Sequence, residues 1–338
     1  MDDQEPVPES IGREALTMRI ITLFAIAVAL SAAVGAVGPR LPLGLDLYRP
    51  VPSDNRLTPA KIALGRRLFF DRRLSRDGSL SCAGCHDPKR ALTDGRVVAQ
   101  GIGGAMGNRN TPIIVNRAWG AAFFFDGRAA TLEQLALQPV LNPGELGMSP
   151  EAVLSLLHAR YRPQFRSTFD AEPSLELAAR ALASYLRTIV DGDSPFDRYA
   201  AGDRSALSES AQRGLKLFQG KAGCGQCHAG PNLTDEEFHN TGIAWRTGTL
   251  TDEGRFAVTH TAADRGAFKT PTLREISRTA PYMHDGSFST LAEVIEYYDS
   301  GGQKNPALDP KLRPLHLTPV EKRDILGFLG ALDGRIQK

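Results

Sequence analysis

The sequence predicts a mainly α-helical protein built as two tandem domains, and three observations carry that prediction. One order of helix, cysteine motif, loop signature and closing helix runs twice along the chain, from about Leu57 and again from about Leu207. Apolar residues in the bracketing segments recur at three- and four-residue spacing, as on a helix with one buried face. No segment shows the sustained alternation that would mark a confident strand. With 338 residues and 42% hydrophobic content, the chain can bury two cores. The 40 basic residues nearly balance 38 acidic ones, which argues against a nucleic-acid-binding surface. Local charge can still serve a docking partner.

In chain order, Met18-Arg19 precede an apolar run from Ile20 to Val37, interrupted only by Thr22, Ser31 and Gly35. Residues 18–40 therefore read as a secretory signal or, because the run barely reaches membrane-spanning length, as an uncleaved anchor. The acidic residues 1–17 have the wrong charge for the start of a signal, so Met18 is the expected true start. Either way the folded part is expected outside the cytoplasm.

The first domain is expected over residues 45–200. It opens with a helix from Leu57-Thr58-Pro59 to Phe70, and the second domain, 201–338, opens with its counterpart from Leu207-Ser208 to Phe218. Their cores match as Leu64-Gly65-Arg66-Arg67-Leu68-Phe69 and Arg213-Gly214-Leu215-Lys216-Leu217-Phe218. Next come Cys82-Ala83-Gly84-Cys85-His86 and Cys224-Gly225-Gln226-Cys227-His228, which contain all four cysteines. Two thiols three positions apart can each add to one vinyl group of a haem while the adjacent imidazole reaches the iron. A zinc ribbon or a redox dithiol is the rival reading, but both motifs end in His and no cysteine remains elsewhere. Two covalent c-type haems in two helical shells amount to a cytochrome c architecture.

After the motifs, Asn110-Thr111-Pro112 matches Lys269-Thr270-Pro271, and Asp126-Gly127 with Thr131-Leu132 matches Asp285-Gly286 with Thr290-Leu291. Closing helices are expected at Leu182, Leu186 and Ile189, and at Ile325, Leu326, Phe328, Leu329 and Leu332. Asp191 to Asp203, with Gly192, Pro195 and Gly202, reads as the connection.

The repeat breaks in one place. Thr290 and Glu293 fit a capping box, and Leu291, Val294, Ile295 and Tyr298 follow on one helical face. Tyr298 on that face must satisfy its hydroxyl, with either a backbone carbonyl or a haem iron as partner. Tyr297 points elsewhere. In the first copy Thr131 and Gln134 start a similar helix, but the position of Tyr298 is taken by Pro139, which cannot ligate iron and is expected to end the helix. One haem closed by a sixth ligand and one left open is the asymmetry this implies.

From about Leu57 onward the chain resembles the bacterial di-haem cytochrome c peroxidase and MauG family. The stretches that carry the resemblance are Asn110-Thr111-Pro112, Asp126-Gly127-Arg128-Ala129, and Thr279-Ala280-Pro281-Tyr282-Met283-His284-Asp285-Gly286, with both haem motifs in register. The resemblance implies a periplasmic enzyme with a peroxide-reacting first haem, an electron-storing second haem, and a calcium ion between the domains. By position, His86 and His228 are the proximal ligands, Glu145 the distal carboxylate that moves protons, and Pro139 its neighbouring distal proline. Asn110 through its side chain, and Thr279 and Pro281 through their carbonyls, fall on the calcium ligands.

Within the family, Tyr298 stands where Met or Tyr ligates the second iron, and Ile102 where a removable distal His would stand. Both features resemble MauG. The implied function is the use of hydrogen peroxide to form a high-valent di-haem state that oxidises residues of a protein partner. The alternative is peroxide reduction to water with electrons from a small cytochrome or copper protein. A homodimer is the assembly held open. Met106 and Met283 are alternative soft iron ligands.

Two positions depart from the family. Phe125 replaces a tryptophan between the haems, which puts hopping through that residue in doubt, and Leu135 replaces a glutamine of the active-site region. Trp119 and Trp245, the only indoles, read as packing residues. His158, His239, His260, His284 and His316 show no ligand spacing and read as structural or surface residues.

Overall fold

The structure, a computed structural model, describes residues 40–338. Of the expected start and export segment, all but Arg40 lies outside the described residues. Ten helices occur among the described residues: α1 (Pro59–Phe69), α2 (Cys82–Cys85), α3 (Leu132–Leu141), α4 (Pro150–Phe169), α5 (Leu175–Leu186), α6 (Pro195–Ala200), α7 (Glu209–Gln219), α8 (Phe256–Thr259), α9 (Leu291–Asp299) and α10 (Pro319–Gly330). Among these residues no helix is long and apolar enough to cross a membrane.

Each helix longer than four residues starts at a Ser or Thr whose hydroxyl accepts a backbone N–H of the first turn, from Thr58 before α1 to Thr318 before α10. The predicted capping box of Thr290 and Glu293 is closed in both directions. Its first-copy counterpart is looser: Thr131 accepts from the Gln134 N–H, while the Gln134 side chain accepts from Ala130.

Two pairs of helices organise two cores, one per half of the sequence. In the first, α1 packs on α5, with Leu64, Leu68, Leu157, Phe165, Leu182 and Ile189 inside. In the second, α7 packs on α10, with Phe218, Ile295, Ile325, Phe328 and Leu332 inside. A glycine permits each crossing: a Cβ on Gly65 would lie 1.9 Å from the Ala181 carbonyl oxygen, and one on Gly214 would lie 1.9 Å from that of Asp324. No larger residue fits at that approach.

Four expectations are corrected. Pro139 does not end its helix, because α3 runs two residues further to Leu141. Proline costs only its own N–H bond and crowds the carbonyl four residues back, and so near the C-terminus few bonds remain to be lost. The connection 191–203 is not all irregular, since Ser194 and Asp197 form a capping box that starts α6. Ile189 and Leu332 are fully buried but lie beyond their helices. Strands do occur, as two antiparallel pairs of two-residue segments: β1 (Phe238–His239) with β4 (Phe268–Lys269), and β2 (Trp245–Arg246) with β3 (Thr249–Leu250). Such short segments leave no alternation for a sequence to display.

The halves are stitched by buried charge and backbone bonds. The Arg109 guanidinium donates to both oxygens of Asp252 at 2.8 Å and to Asp126 at 2.7 Å. Arg117 forms a fork onto both oxygens of Glu236, which Lys269 also approaches. The Lys269 N–H donates to the Phe125 carbonyl at 2.8 Å, and the Asn110 N–H to the His284 carbonyl at 2.7 Å.

Candidate haem cavity

A largely apolar cavity of about 870 Å³ is lined from both halves, and both cysteine motifs open onto it. That is near the upper end for a ligand cavity, roughly 300–1,000 Å³. The first motif lies on α2, and the second forms a 3-10 turn at Cys224–Gln226. None of the four cysteines forms a disulfide. Burial pushes the Cys82 thiol up to about 12, with Cys85 and Glu145 adding to the shift.

The two histidines are held alike. Nδ1 of His86 lies 3.1 Å from the Leu92 carbonyl, and Nδ1 of His228 lies 3.1 Å from that of Leu233. A carbonyl can only accept, so Nδ1 carries the proton and Nε2 keeps the lone pair a metal needs. Burial lowers both imidazoles, His228 to about 4, which keeps them in the neutral, ligating form. Leu92 and Leu233 achieve this with left-handed backbones, φ 62° and 52°. Paired thiols, a free Nε2 beside each pair, and an apolar cavity fit two covalently bound haems. Family membership, given by the comparisons below, implies the same two groups.

Around the first motif the cavity is lined by Glu145, Pro139 and Leu135. Asn142 donates to Glu145 Oε1 at 2.7 Å, no donor among the described residues reaches Oε2, and the carboxylate is close enough to raise both Cys82 and Cys85. Ile102 is not among the lining residues; it is buried, with its N–H on the Glu145 carbonyl at 2.9 Å and its side chain over Gly147. The loop nevertheless turns Gln100, Gly101 and Met106 toward the cavity.

Around the second motif, Leu291, Val294, Ile295 and Tyr298 all line the cavity, so the predicted shared face exists. It is a cavity face rather than a core face, and only Ile295 is fully buried. Burial raises the Tyr298 phenol, followed by Tyr297 and the Cys224 and Cys227 thiols, which places it beside the second motif. Tyr297 turns away to donate to the Thr241 carbonyl at 2.7 Å.

Between the motifs, Phe125 packs edge-on against His284, with ring centroids 6.4 Å apart. His284 itself stacks on Phe268 at 3.6 Å and 14°. The reading of His284 as structural or surface is thus incomplete: it is buried, lines the cavity and is lowered by burial to about 4. His239 also lines the cavity, with Nε2 at 2.9 Å from Asp235 and Nδ1 at 2.6 Å from Asp309. Cys227, then the two carboxylates, raise it to about 10. Asp235 lies four residues before His239, while Asp309, Phe125 and Phe268 are distant in the chain, so neither histidine's role is evident from the local sequence. Trp119 and Trp245 do not line the cavity, in keeping with packing roles.

Asn110, Thr279 and Pro281 all border the cavity. Asn110 donates its amide to the Arg96 and Val97 carbonyls, which leaves its Oδ1 unbonded. Among the described residues no donor reaches the carbonyls of Thr279 or Pro281.

Comparison with known proteins gives a consistent set of matches. Residues 59–205 match the family described as "Di-haem cytochrome c peroxidase". The chain is 45% identical to the methylamine utilization protein MauG of Methylorubrum extorquens, over 84% of this chain and 81% of that protein. It is 37% identical to cytochrome-c peroxidase IdrP1 of Denitromonas iodatirespirans, over 95% and 92%. Its fold is similar to the crystal structure of a MauG-like protein associated with microbial copper homeostasis, at a TM-score of 0.80 and 34% identity, covering 89% of this chain and 96% of that one.

Proposed function

Since the chain belongs to the di-haem cytochrome c peroxidase family, whose members are peroxide-dependent oxidoreductases, we propose that it is a MauG-like enzyme that uses hydrogen peroxide to oxidise residues of a protein partner. The asymmetry between Pro139 and Tyr298 carries this reading. Both residues line the cavity at matching places in the repeat, and only one can ligate iron. When bound, haems would supply the redox chemistry, with peroxide as the two-electron oxidant and the partner as the source of the same number of electrons.

The protein's own groups have separable tasks. His86 and His228 would present Nε2 to the irons, and the four thiols would hold the haems through their vinyl groups. Pro139 offers no donor atom and so leaves the first site open. Glu145, with Oε2 free, takes a proton from incoming peroxide and returns it to the departing oxygen, while Asn142 fixes the carboxylate through Oε1. Tyr298 would close the second site through its phenol oxygen. Residues 45–200 would form the peroxide-reacting domain and 201–338 the electron-storing one. Asn110, Thr279 and Pro281 would hold calcium, and the enzyme would work in the periplasm.

The ferric protein should show one high-spin and one low-spin haem, and Tyr298→Phe should change only the low-spin signal. Two low-spin haems in the wild type would refute the open first site. A second reading, peroxide reduction fed by a small redox protein, is supported by the likeness to cytochrome-c peroxidase IdrP1 over nearly the whole chain. Peroxide added without reductant separates the two: a long-lived species holding two oxidising equivalents is expected here, whereas activity only after prior reduction would favour the alternative.

A further inference from the structure

The C-terminal end of α1 and the turn after it carry Arg66, Arg67, Arg72, Arg73 and Arg76, all exposed. Arg66, Arg67 and Arg73 wall a surface hollow of about 370 Å³ together with Phe70, Asp71 and Tyr161. Only Arg73 has a carboxylate partner there, since it forms a fork onto Asp71. Asp71 also accepts from the Tyr161 hydroxyl at 2.6 Å. The other acid nearby, Asp77, is engaged by Ser79. Among the described residues no carboxylate pairs with Arg66, Arg67, Arg72 or Arg76.

Aromatic rings hold the two central guanidiniums instead. Arg66 lies 5.4 Å from the Phe70 ring centroid, and Arg67 5.6 Å from that of Tyr161. Their positions are set while their charge is left unneutralised. Arg204 over Tyr199 and Arg265 over Phe256 are held singly in the same way, whereas here two neighbouring guanidiniums share one hollow, as a surface that receives carboxylates needs. The less exposed Arg109, Arg117 and Arg187, and the exposed Arg213, each face a carboxylate of this chain.

The hollow also lies beside the first haem motif. Phe70 is 40% exposed, and its ring meets Phe69 edge-on at 5.3 Å. Phe69 in turn lines the cavity with Cys82, and Tyr185 packs against it at 5.3 Å. A protein seated on the arginines would thus be two rings from the cavity.

We infer that the hollow formed by Arg66, Arg67, Phe70 and Tyr161 is a docking surface for the acidic face of a protein partner. This rests on the reading that the enzyme works with a protein. Its test does not need peroxide chemistry, so the two can fail separately. The probe is fluorescein-labelled poly-L-glutamate, titrated with the complete haem-loaded protein at low ionic strength and read by anisotropy.

Arg66→Gln/Arg67→Gln should weaken binding roughly tenfold and flatten its salt dependence. Arg323→Gln/Arg335→Gln, at exposed sites elsewhere, should leave it unchanged. The ferric spectrum of the first double variant should match the wild type, which separates lost docking from a lost fold. Equal binding by both double variants would overturn the inference. So would capture of the wild type, and not of Arg66→Gln/Arg67→Gln, by phosphatidylserine vesicles when the peptide binds neither.

Discussion

Tyr298 and Pro139 make the two ends of one cavity chemically different, and Glu145 gives the Pro139 end a group that can handle protons. Replacing Glu145 by Gln keeps its size and its contact with Asn142 but removes its basicity. Its reaction with peroxide should slow by about 10²- to 10⁴-fold with the ferric spectrum unchanged. Stopped-flow mixing checks this, and an undiminished rate would remove Glu145 from the proton path. The two motif histidines and Tyr298 were placed by motif spacing and the repeat register, whereas Glu145 was marked only by the family resemblance. Leu92 and Leu233 were not, because a left-handed leucine that points its carbonyl at an imidazole leaves no mark in composition or period. The stack of His284 on Phe268 was also hidden, being made by chain closure rather than local order.

At the scale of elements, the two helix crossings depend on the glycines of the repeated Gly-x-x-Leu-Phe pattern. Gly65→Ala or Gly214→Ala would drive a methyl group into a backbone carbonyl of the facing helix, and each should cost about 1–3 kcal/mol or more. Urea unfolding measures the loss; stability within error of the wild type would show that the helices separate freely. Helix starts were legible because Ser and Thr caps are local chemistry. Helix ends were less so. Pro139 shows why: its penalty depends on how many bonds remain after it, and the fold leaves α3 only two further residues. Likewise α6 was concealed by the glycines and proline around it, although Ser194 and Asp197 form its capping box.

For the whole molecule, the joint between the halves holds a buried acid that the sequence does not reveal. Asp191 is fully buried, and among the described residues no donor reaches either of its carboxyl oxygens. Glu275, also fully buried, faces it across Gly334, whose N–H donates to Glu275 Oε1 at 2.9 Å. Arg274 and Asp197 are the other charges nearby, and they pair with each other. Burial first, then Glu275, raises Asp191 to about 8.

The unfolded chain loses that proton near pH 3.9. Between about 4 and about 8 the folded state therefore binds the extra proton, and stability should fall as pH rises through that window. Asp191→Asn keeps a neutral group in place and should flatten the decline in urea midpoint. An equally steep decline in the variant would show that other groups control it.

By itself the sequence determined the duplicated plan, the two thiol–imidazole sites and their asymmetry, because each is set by spacing within one short segment. The tertiary structure decided what lies between and around those sites. It turned Ile102 into the core, set His284 and Phe268 beside Phe125, joined Arg109 to Asp252, and left Arg66 and Arg67 without carboxylates. Those outcomes depend on which distant segments meet. Burial and charge pairing follow from that meeting, and no local pattern encodes it.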